Sequence, residues 1–158
     1  MKNLKLQILA SLLAGLALTG CDDAPSGSSG AADAESVSLD RKLDAAQLAR
    51  GKTVYEKHCL ECHGDAGKGQ PGDWRIREAD GYFPPPPLDD SAHAWHHPTA
   101  ALLEVIRDGS PQGQGKMPAW KDTLSEQEMQ DVVAYIKSLW SDPVYRLWQK
   151  MEQQSLEP

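Results

Sequence analysis

The apolar residues in the middle of the chain follow the three- and four-residue spacing of amphipathic helices. The first such segment runs from residue 44 to residue 59, and Asp44 stands where a capping residue is expected. The second runs from 99 to 107, between Pro98, which favours a helix start, and Gly109, which favours a stop. We therefore predict two amphipathic helices in this part of the chain.

A third and clearer pattern lies towards the C-terminus. Ser125 and Glu128 have the spacing of a capping box, and a buried stripe follows them. The segments between the helices are rich in Gly and Pro and show no alternating strand pattern, so the pattern predicts an all-α fold. After Asp142 a short segment, 144–153, again has helical spacing, which is compatible with an extra packed helix or with a tryptophan, Trp148, offered to a partner. The apolar stripe of the third helix comprises Met129, Val132, Val133, Ile136 and Leu139 or Trp140.

The N-terminus has a different character. Lys2 and Lys5 precede an apolar run over residues 6–18 that is too short for a mature membrane span, which predicts a secretory signal peptide over residues 1–20. An uncleaved anchor helix is the alternative, and it also leaves the domain outside the cytoplasm. Next comes a stretch of Ser, Gly, Ala and Asp that predicts a flexible tether. The predicted domains are thus 1–20 signal peptide, 21–43 tether, 44–141 folded domain and 142–158 C-terminal extension.

Charge narrows the possible partners. The full chain has a formal charge of −7, and without residues 1–20 it holds 14 basic and 23 acidic residues, a charge of −9. This balance argues against nucleic acid and against direct binding to anionic lipid headgroups, and favours protein partners with basic docking faces. No catalytic triad, carboxylate pair or phosphate-binding loop is visible, so nothing indicates an enzyme or a small-molecule substrate.

The sequence Cys59-Leu60-Glu61-Cys62-His63 carries the most specific chemistry. Two thiols at this spacing can each form a thioether to one vinyl group of a haem, and the histidine that follows can bind the iron. A redox-active dithiol would need a βαβ pattern, and a zinc site would need a second Cys/His pair; neither is present. The motif occurs once, which predicts one covalent haem c.

The end of the predicted signal peptide, Leu18-Thr19-Gly20-Cys21, resembles the lipobox of bacterial lipoproteins. That resemblance implies cleavage before Cys21 and acylation of its thiol, which would anchor the protein stably because several acyl chains are attached. Asp22 resembles the signal that retains lipoproteins in the inner membrane. The expected location is the periplasmic side of a bacterial membrane.

Several motifs together resemble the bacterial class I cytochrome c family, over about residues 44–140. Gly51 and Tyr55 precede the C-x-x-C-H motif by eight and four residues, a loop Met-Pro follows at 117–118, and Tyr135 lies on the last helix of the resemblance. The resemblance implies a small helical domain around one haem c that carries single electrons. It also implies that Gly51 lets the helix of Tyr135 approach closely.

The same resemblance assigns further residues to the haem. Met117 would be the second axial ligand, the carbonyl of Pro86 would accept a hydrogen bond from His63, and Leu88 would pack on the haem face. Two other interpretations remain open at this point. Met117 is also compatible with filling a gap in the core, and the prolines at 84–87 with a polyproline recognition segment.

The segment 80–98 is longer than a minimal cytochrome needs and contains His93, His96 and His97. One of these imidazoles could replace Met117 on the iron, or His93 and His96 could bind copper or zinc; ordinary surface and capping roles are the alternative. The leading hypothesis is a membrane-anchored one-electron carrier. The competing hypotheses are a copper-handling or sensor lipoprotein that uses these histidines, and a haem subunit of a periplasmic dehydrogenase or reductase.

Overall fold

The computed structural model describes residues 41–157, and this part of the chain contains α-helices and no β-strand. The all-α prediction is therefore confirmed. The predicted signal peptide, Cys21, Asp22 and the tether up to residue 40 lie outside the described residues. Within the described range, the helices are all too short or too polar to cross a membrane. The helices are α1 Ala45–His58, α2 Leu60–His63, α3 Thr99–Asp108, α4 Glu126–Ser138 and α5 Asp142–Leu156, with 3₁₀ turns at Asp65–Gly67 and Ala94–His96.

The helix ends follow from local chemistry. The Asp44 carboxylate accepts a hydrogen bond from the Gln47 amide at 2.6 Å and so caps α1. Before α4, the Ser125 amide donates to Glu128 Oε2 at 2.8 Å while the Glu128 amide donates to Ser125 Oγ at 3.3 Å, which is the predicted capping box. Gly109 ends α3 with a φ of +83°, a conformation that favours glycine.

Helices α1 and α4 pack closely because of one glycine. A Cβ on Gly51 would lie 2.0 Å from the backbone oxygen of Asp131 and 2.9 Å from Cβ of Tyr135. One turn further along, the rings of Tyr55 and Tyr135 are in contact, with centroids 5.2 Å apart. The expected packing role of Gly51 is confirmed, and the contact fixes where the C-terminal end of α1 points.

The C-terminal extension forms helix α5 and packs on the domain. Tyr145 and Trp148 are buried against Trp140, with ring centroids between 5.0 and 6.5 Å apart. Arg41 ties the start of this helix to the chain before α1, because its guanidinium donates to Asp142 at 2.9 Å and lies 4.7 Å from the ring centroid of Tyr145. Trp148 is thus part of the core rather than a contact offered to a partner.

Candidate functional site

The C-x-x-C-H motif lies directly after α1. The Cys59 amide donates to the Tyr55 carbonyl at 2.8 Å and extends α1, after which the single turn of α2 carries Cys62 and His63. Both thiols are free, Cys59 half-buried and Cys62 exposed. Burial first, and then the neighbouring Cys62, raise the pKa of Cys59 to about 11. A redox-active dithiol needs a low thiol pKa, so this environment disfavours that interpretation.

His63 is buried, with 8% of its surface exposed, and has one ring nitrogen engaged. Its Nδ1 lies 2.9 Å from the carbonyl oxygen of Pro86. Since a carbonyl only accepts, Nδ1 must carry the proton, which leaves Nε2 with a lone pair. Burial also lowers the pKa of His63 despite the opposing effect of this hydrogen bond, which favours the neutral imidazole that binds metals.

The backbone that follows His63 is held by contacts that the sequence did not indicate. The Tyr55 hydroxyl donates to the Gly64 carbonyl at 2.7 Å, and the Gly69 amide donates to the His63 carbonyl at 2.7 Å. Gln70 Nε2 reaches back to the carbonyl of Glu61 at 2.8 Å. Gly64 was the one available signal in the sequence, since a glycine directly after the motif suggests a sharp turn, and its φ in the structure is +74°.

The proline run at 84–87 ends beside the turn that follows His63. The Leu88 amide donates to the Gly67 carbonyl at 2.6 Å, and Trp140 Nε1 donates to the Leu88 carbonyl at 2.9 Å. The Leu88 side chain packs against the hydrophobic core. These bonds fix the Pro86 carbonyl opposite His63, so a structural role for the proline run is favoured over an exposed recognition segment.

Met117 is half-buried and packs against the same core. Two hydrogen bonds hold its backbone, from the Met117 amide to Ser110 Oγ at 3.2 Å and from the Ser110 amide to the Met117 carbonyl at 3.0 Å. Gly109 makes room for it, because a Cβ there would lie 2.7 Å from the Met117 carbonyl oxygen. Ser110 was missed by the sequence analysis, since nothing in the sequence pairs it with a residue seven positions away.

The histidine segment is organised by ring contacts. His93 stacks on Trp74 with centroids 4.8 Å apart and meets His97 edge-on at 5.4 Å, while His96 packs on Trp95 at 3.7 Å. Across residues 41–157, no group of three or more His, Cys, Asp or Glu side chains could hold a metal ion. The copper-binding hypothesis therefore gains no support from the described part of the chain.

Taken together, the residues present fit a covalently attached haem. Cys59 and Cys62 provide two free thiols at the required spacing, His63 a neutral imidazole with Nε2 available, and Met117 a thioether beside the core. When bound, haem c supplies a one-electron Fe(III)/Fe(II) couple. The chain orients the imidazole through the Pro86 carbonyl, and apolar side chains beside the core, such as Leu88, would cover the group.

Comparison with known proteins agrees with this chemistry. The family model described as "Cytochrome C oxidase, cbb3-type, subunit III" matches residues 46–136. The chain is 33% identical over 104 residues to the cbb3-type cytochrome c oxidase subunit CcoP of Azospirillum sp. (strain B510), covering 65% of this chain and 32% of that protein. It is 29% identical over 102 residues to chloroplastic cytochrome c6 of Chlamydomonas reinhardtii, covering 65% of this chain and 61% of that protein.

A third relative, thiosulfate dehydrogenase of Stutzerimonas stutzeri (strain A1501), is 30% identical over 94 residues, covering 58% of this chain and 27% of that protein. The chain spans about a third of the length of the oxidase subunit it matches. No solved structure matches it significantly. The family match covers more than half of the chain, including the C-x-x-C-H motif and the Met117 loop. We conclude that the chain belongs to the cbb3-type subunit III family of cytochromes c and is a class I c-type cytochrome with covalent haem c, which transfers electrons.

Proposed function

We propose that this protein is a lipid-anchored monohaem cytochrome that carries single electrons on the periplasmic side of a bacterial membrane, with His63 and Met117 as axial ligands. The observation that carries the proposal is the 2.9 Å contact between His63 Nδ1 and the Pro86 carbonyl in a buried site. It leaves Nε2 as the only ring nitrogen for a metal and fixes the plane of the ring.

Protein ligands on both sides of the iron define what the site does. With Met117 in the second axial position, no coordination site is open for oxygen or peroxide, and a thioether raises the reduction potential relative to a second imidazole. The chain's remaining tasks are to exclude water from the haem and to present its edge to partners. An electron carrier rather than a catalyst is the function that these residues support.

Replacement of Met117 tests the ligand assignment. The ferric holoprotein should show the weak near-infrared sulfur-to-iron band, and Met117→Leu should abolish it. Met151→Leu makes the same substitution at a methionine of α5 and should leave the band unchanged. A Met117→Leu variant with an unchanged low-spin spectrum would transfer the ligand role to a histidine and contradict the proposal.

Membrane attachment through Cys21 is the second part of the proposal. The lipobox-like sequence 18–21 supports it, Asp22 favours the inner membrane, and the acidic composition argues against adhesion to anionic lipids by charge. Cys21→Ser combined with an ordinary cleavable signal should release a soluble periplasmic holoprotein with an unchanged visible spectrum. Retention of this variant on membranes after a salt wash would show that an integral partner holds it.

A haem subunit of a larger oxidoreductase is a second candidate. It is favoured because relatives include a protein named as a cbb3 oxidase subunit and one named as thiosulfate dehydrogenase. The two candidates predict different behaviour in mild detergent. A mobile carrier should elute from size exclusion at the size of the lipidated monomer, whereas a subunit should co-purify with its complex in fixed ratio.

A further inference from the structure

The exposed segment 71–83 is hydrogen-bonded to the loop that carries Met117. We define this Met117 loop as residues 110–117. Arg77 Nη1 donates to the Gly113 carbonyl at 2.7 Å and also to the Gly81 carbonyl of its own segment at 2.6 Å. A second bond runs from the Phe83 amide to the Gln114 carbonyl at 2.9 Å. The 71–83 segment therefore donates to two adjacent carbonyls of the Met117 loop, once from a side chain and once from the backbone.

An ionic contact between the same two segments involves Lys116, the residue next to the candidate ligand in the sequence. Lys116 Nζ lies 2.6 Å from Asp80 Oδ2 and 3.2 Å from Glu78 Oε2, both on the 71–83 segment. The Arg77 guanidinium also lies 4.1 Å from the ring centroid of Phe83, which restricts where the arginine can point. Three residues of the Met117 loop, at positions 113, 114 and 116, are thus bonded to one segment.

The 71–83 segment is itself fixed at its other end. Trp74 stacks on His93 with centroids 4.8 Å apart and an interplanar angle of 18°, which joins the segment to residues next to the Ala94–His96 turn. A tie to an anchored segment limits the motion of a loop. The Met117 loop needs such a restraint, because it contains two glycines and residues 111–114 are exposed.

We propose that Arg77 is a positioning residue that, together with Lys116, holds the Met117 loop closed and so keeps the thioether in place against competing ligands. This inference rests on the proposed ligation by Met117. A thioether is a weak ligand that the fold must hold in position, so a looser loop should let an external ligand replace it more easily.

Imidazole titration of the ferric holoprotein tests the proposal, with loss of the near-infrared sulfur-to-iron band as the signal. Arg77→Gln removes the guanidinium that bridges the two backbones. We expect imidazole to bind about threefold to tenfold more tightly, which corresponds to the net contribution of one ordinary hydrogen bond. Lys116→Gln should shift the affinity in the same direction. Unfolding midpoints in urea should stay close to that of the wild type, since Arg77 and Lys116 are exposed.

Arg75→Gln is the matched control. Arg75 lies on the same segment, but its guanidinium pairs with Asp73, also in that segment, at 2.8 Å. It should bind imidazole with wild-type affinity. An Arg77→Gln affinity equal to that of Arg75→Gln would overturn the proposal, and so would a gain in affinity that merely parallels a loss of global stability. A wild-type protein without the sulfur-to-iron band would instead refute ligation by Met117 before any variant is compared, and the inference with it.

Discussion

Gly51 shows how much one missing Cβ matters at the residue scale. In an exposed helix, Gly→Ala gains about 1 kcal/mol of stability from helix propensity. Here the new Cβ would lie 2.0 Å from the Asp131 backbone oxygen, so α1 and α4 would have to separate. We expect Gly51→Ala to lose at least about 2 kcal/mol in urea unfolding despite the better propensity.

The reverse substitution on the open face of α1 is the control. Ala49 is exposed and lies inside the helix, and Ala49→Gly should cost only the propensity difference of about 1 kcal/mol. A Gly51→Ala protein as stable as the wild type would mean that the two helices separate at no cost, in contradiction with the close approach described above.

Asp131 is the buried carboxylate at the same helix contact. It accepts hydrogen bonds from Arg50 Nε at 2.7 Å and from Gln127 Nε2 at 2.9 Å, and the bond from Arg50 is the main reason why its pKa is lowered. A pKa lowered in the folded state stabilises the protein fully above the unfolded value of about 3.9 and loses that stabilisation as the pH falls through the folded pKa. Asp131→Asn should therefore lose about 1–3 kcal/mol at neutral pH, and less in acid.

Urea unfolding at several pH values checks this. The stability difference between the wild type and Asp131→Asn should be constant above about pH 5 and shrink below about pH 4. Asp73→Asn removes a carboxylate from an exposed pair with Arg75 and should change neither the stability nor its pH dependence measurably. A difference that grows in acid would show that Asp131 does not fold as a carboxylate.

The residues that could be predicted at this scale are those whose role depends on local sequence. Asp44 and the Ser125–Glu128 pair cap helices through bonds three residues apart, so their types and spacing are sufficient. The contacts of Ser110, Gln70 and the Tyr55 hydroxyl are set by how loops meet in space. No periodicity records such contacts, and the sequence analysis missed them for that reason.

At the scale of elements, α5 completes the core of the domain. Trp148 is 6% exposed and contacts Trp140 and Tyr145. The Lys137 ammonium lies 4.2 Å from the centroid of its ring. We expect Trp148→Ala to cost about 3–5 kcal/mol, because it leaves a large cavity between α4 and α5. The adjacent Leu147 is 50% exposed, so Leu147→Ala should cost less than about 1 kcal/mol.

Unfolding of both variants followed by tryptophan fluorescence and by the haem spectrum gives the comparison. Equal stabilities of Trp148→Ala and Leu147→Ala would show that α5 adds little to the core. The helices themselves were predictable, since α1, α3 and α4 each pack apolar residues at helical spacing against the core. The junction between residues 71–83 and the Met117 loop was not, because it is built from backbone carbonyls and exposed charges that leave no pattern in the sequence.

At the scale of the whole molecule, the acidic charge is divided between two parts of the chain. Residues 41–157 contain 14 basic and 18 acidic residues, a formal charge of −4. Residues 22–40 add five acidic residues and no basic one. More than half of the −9 charge after residue 20 therefore belongs to residues 22–40, which lie within the predicted tether, and less than half to residues 41–157, which contain the C-x-x-C-H motif.

This division makes the salt dependence of electron transfer informative. Steering by opposite charges raises association rates, and salt reduces it as the screening length falls to about 8 Å at physiological strength. Rate constants with a cationic redox partner should therefore fall as salt is added, while those with an anionic partner should rise.

Deletion of residues 22–40 should make both salt dependences shallower without reversing them, because the remaining domain still has a charge of −4. Stopped-flow reduction of the full-length and shortened proteins provides the four slopes. A flat or rising rate for the shortened protein with the cationic partner would show that the docking face is not acidic, and would indicate recognition by apolar contact around the haem edge.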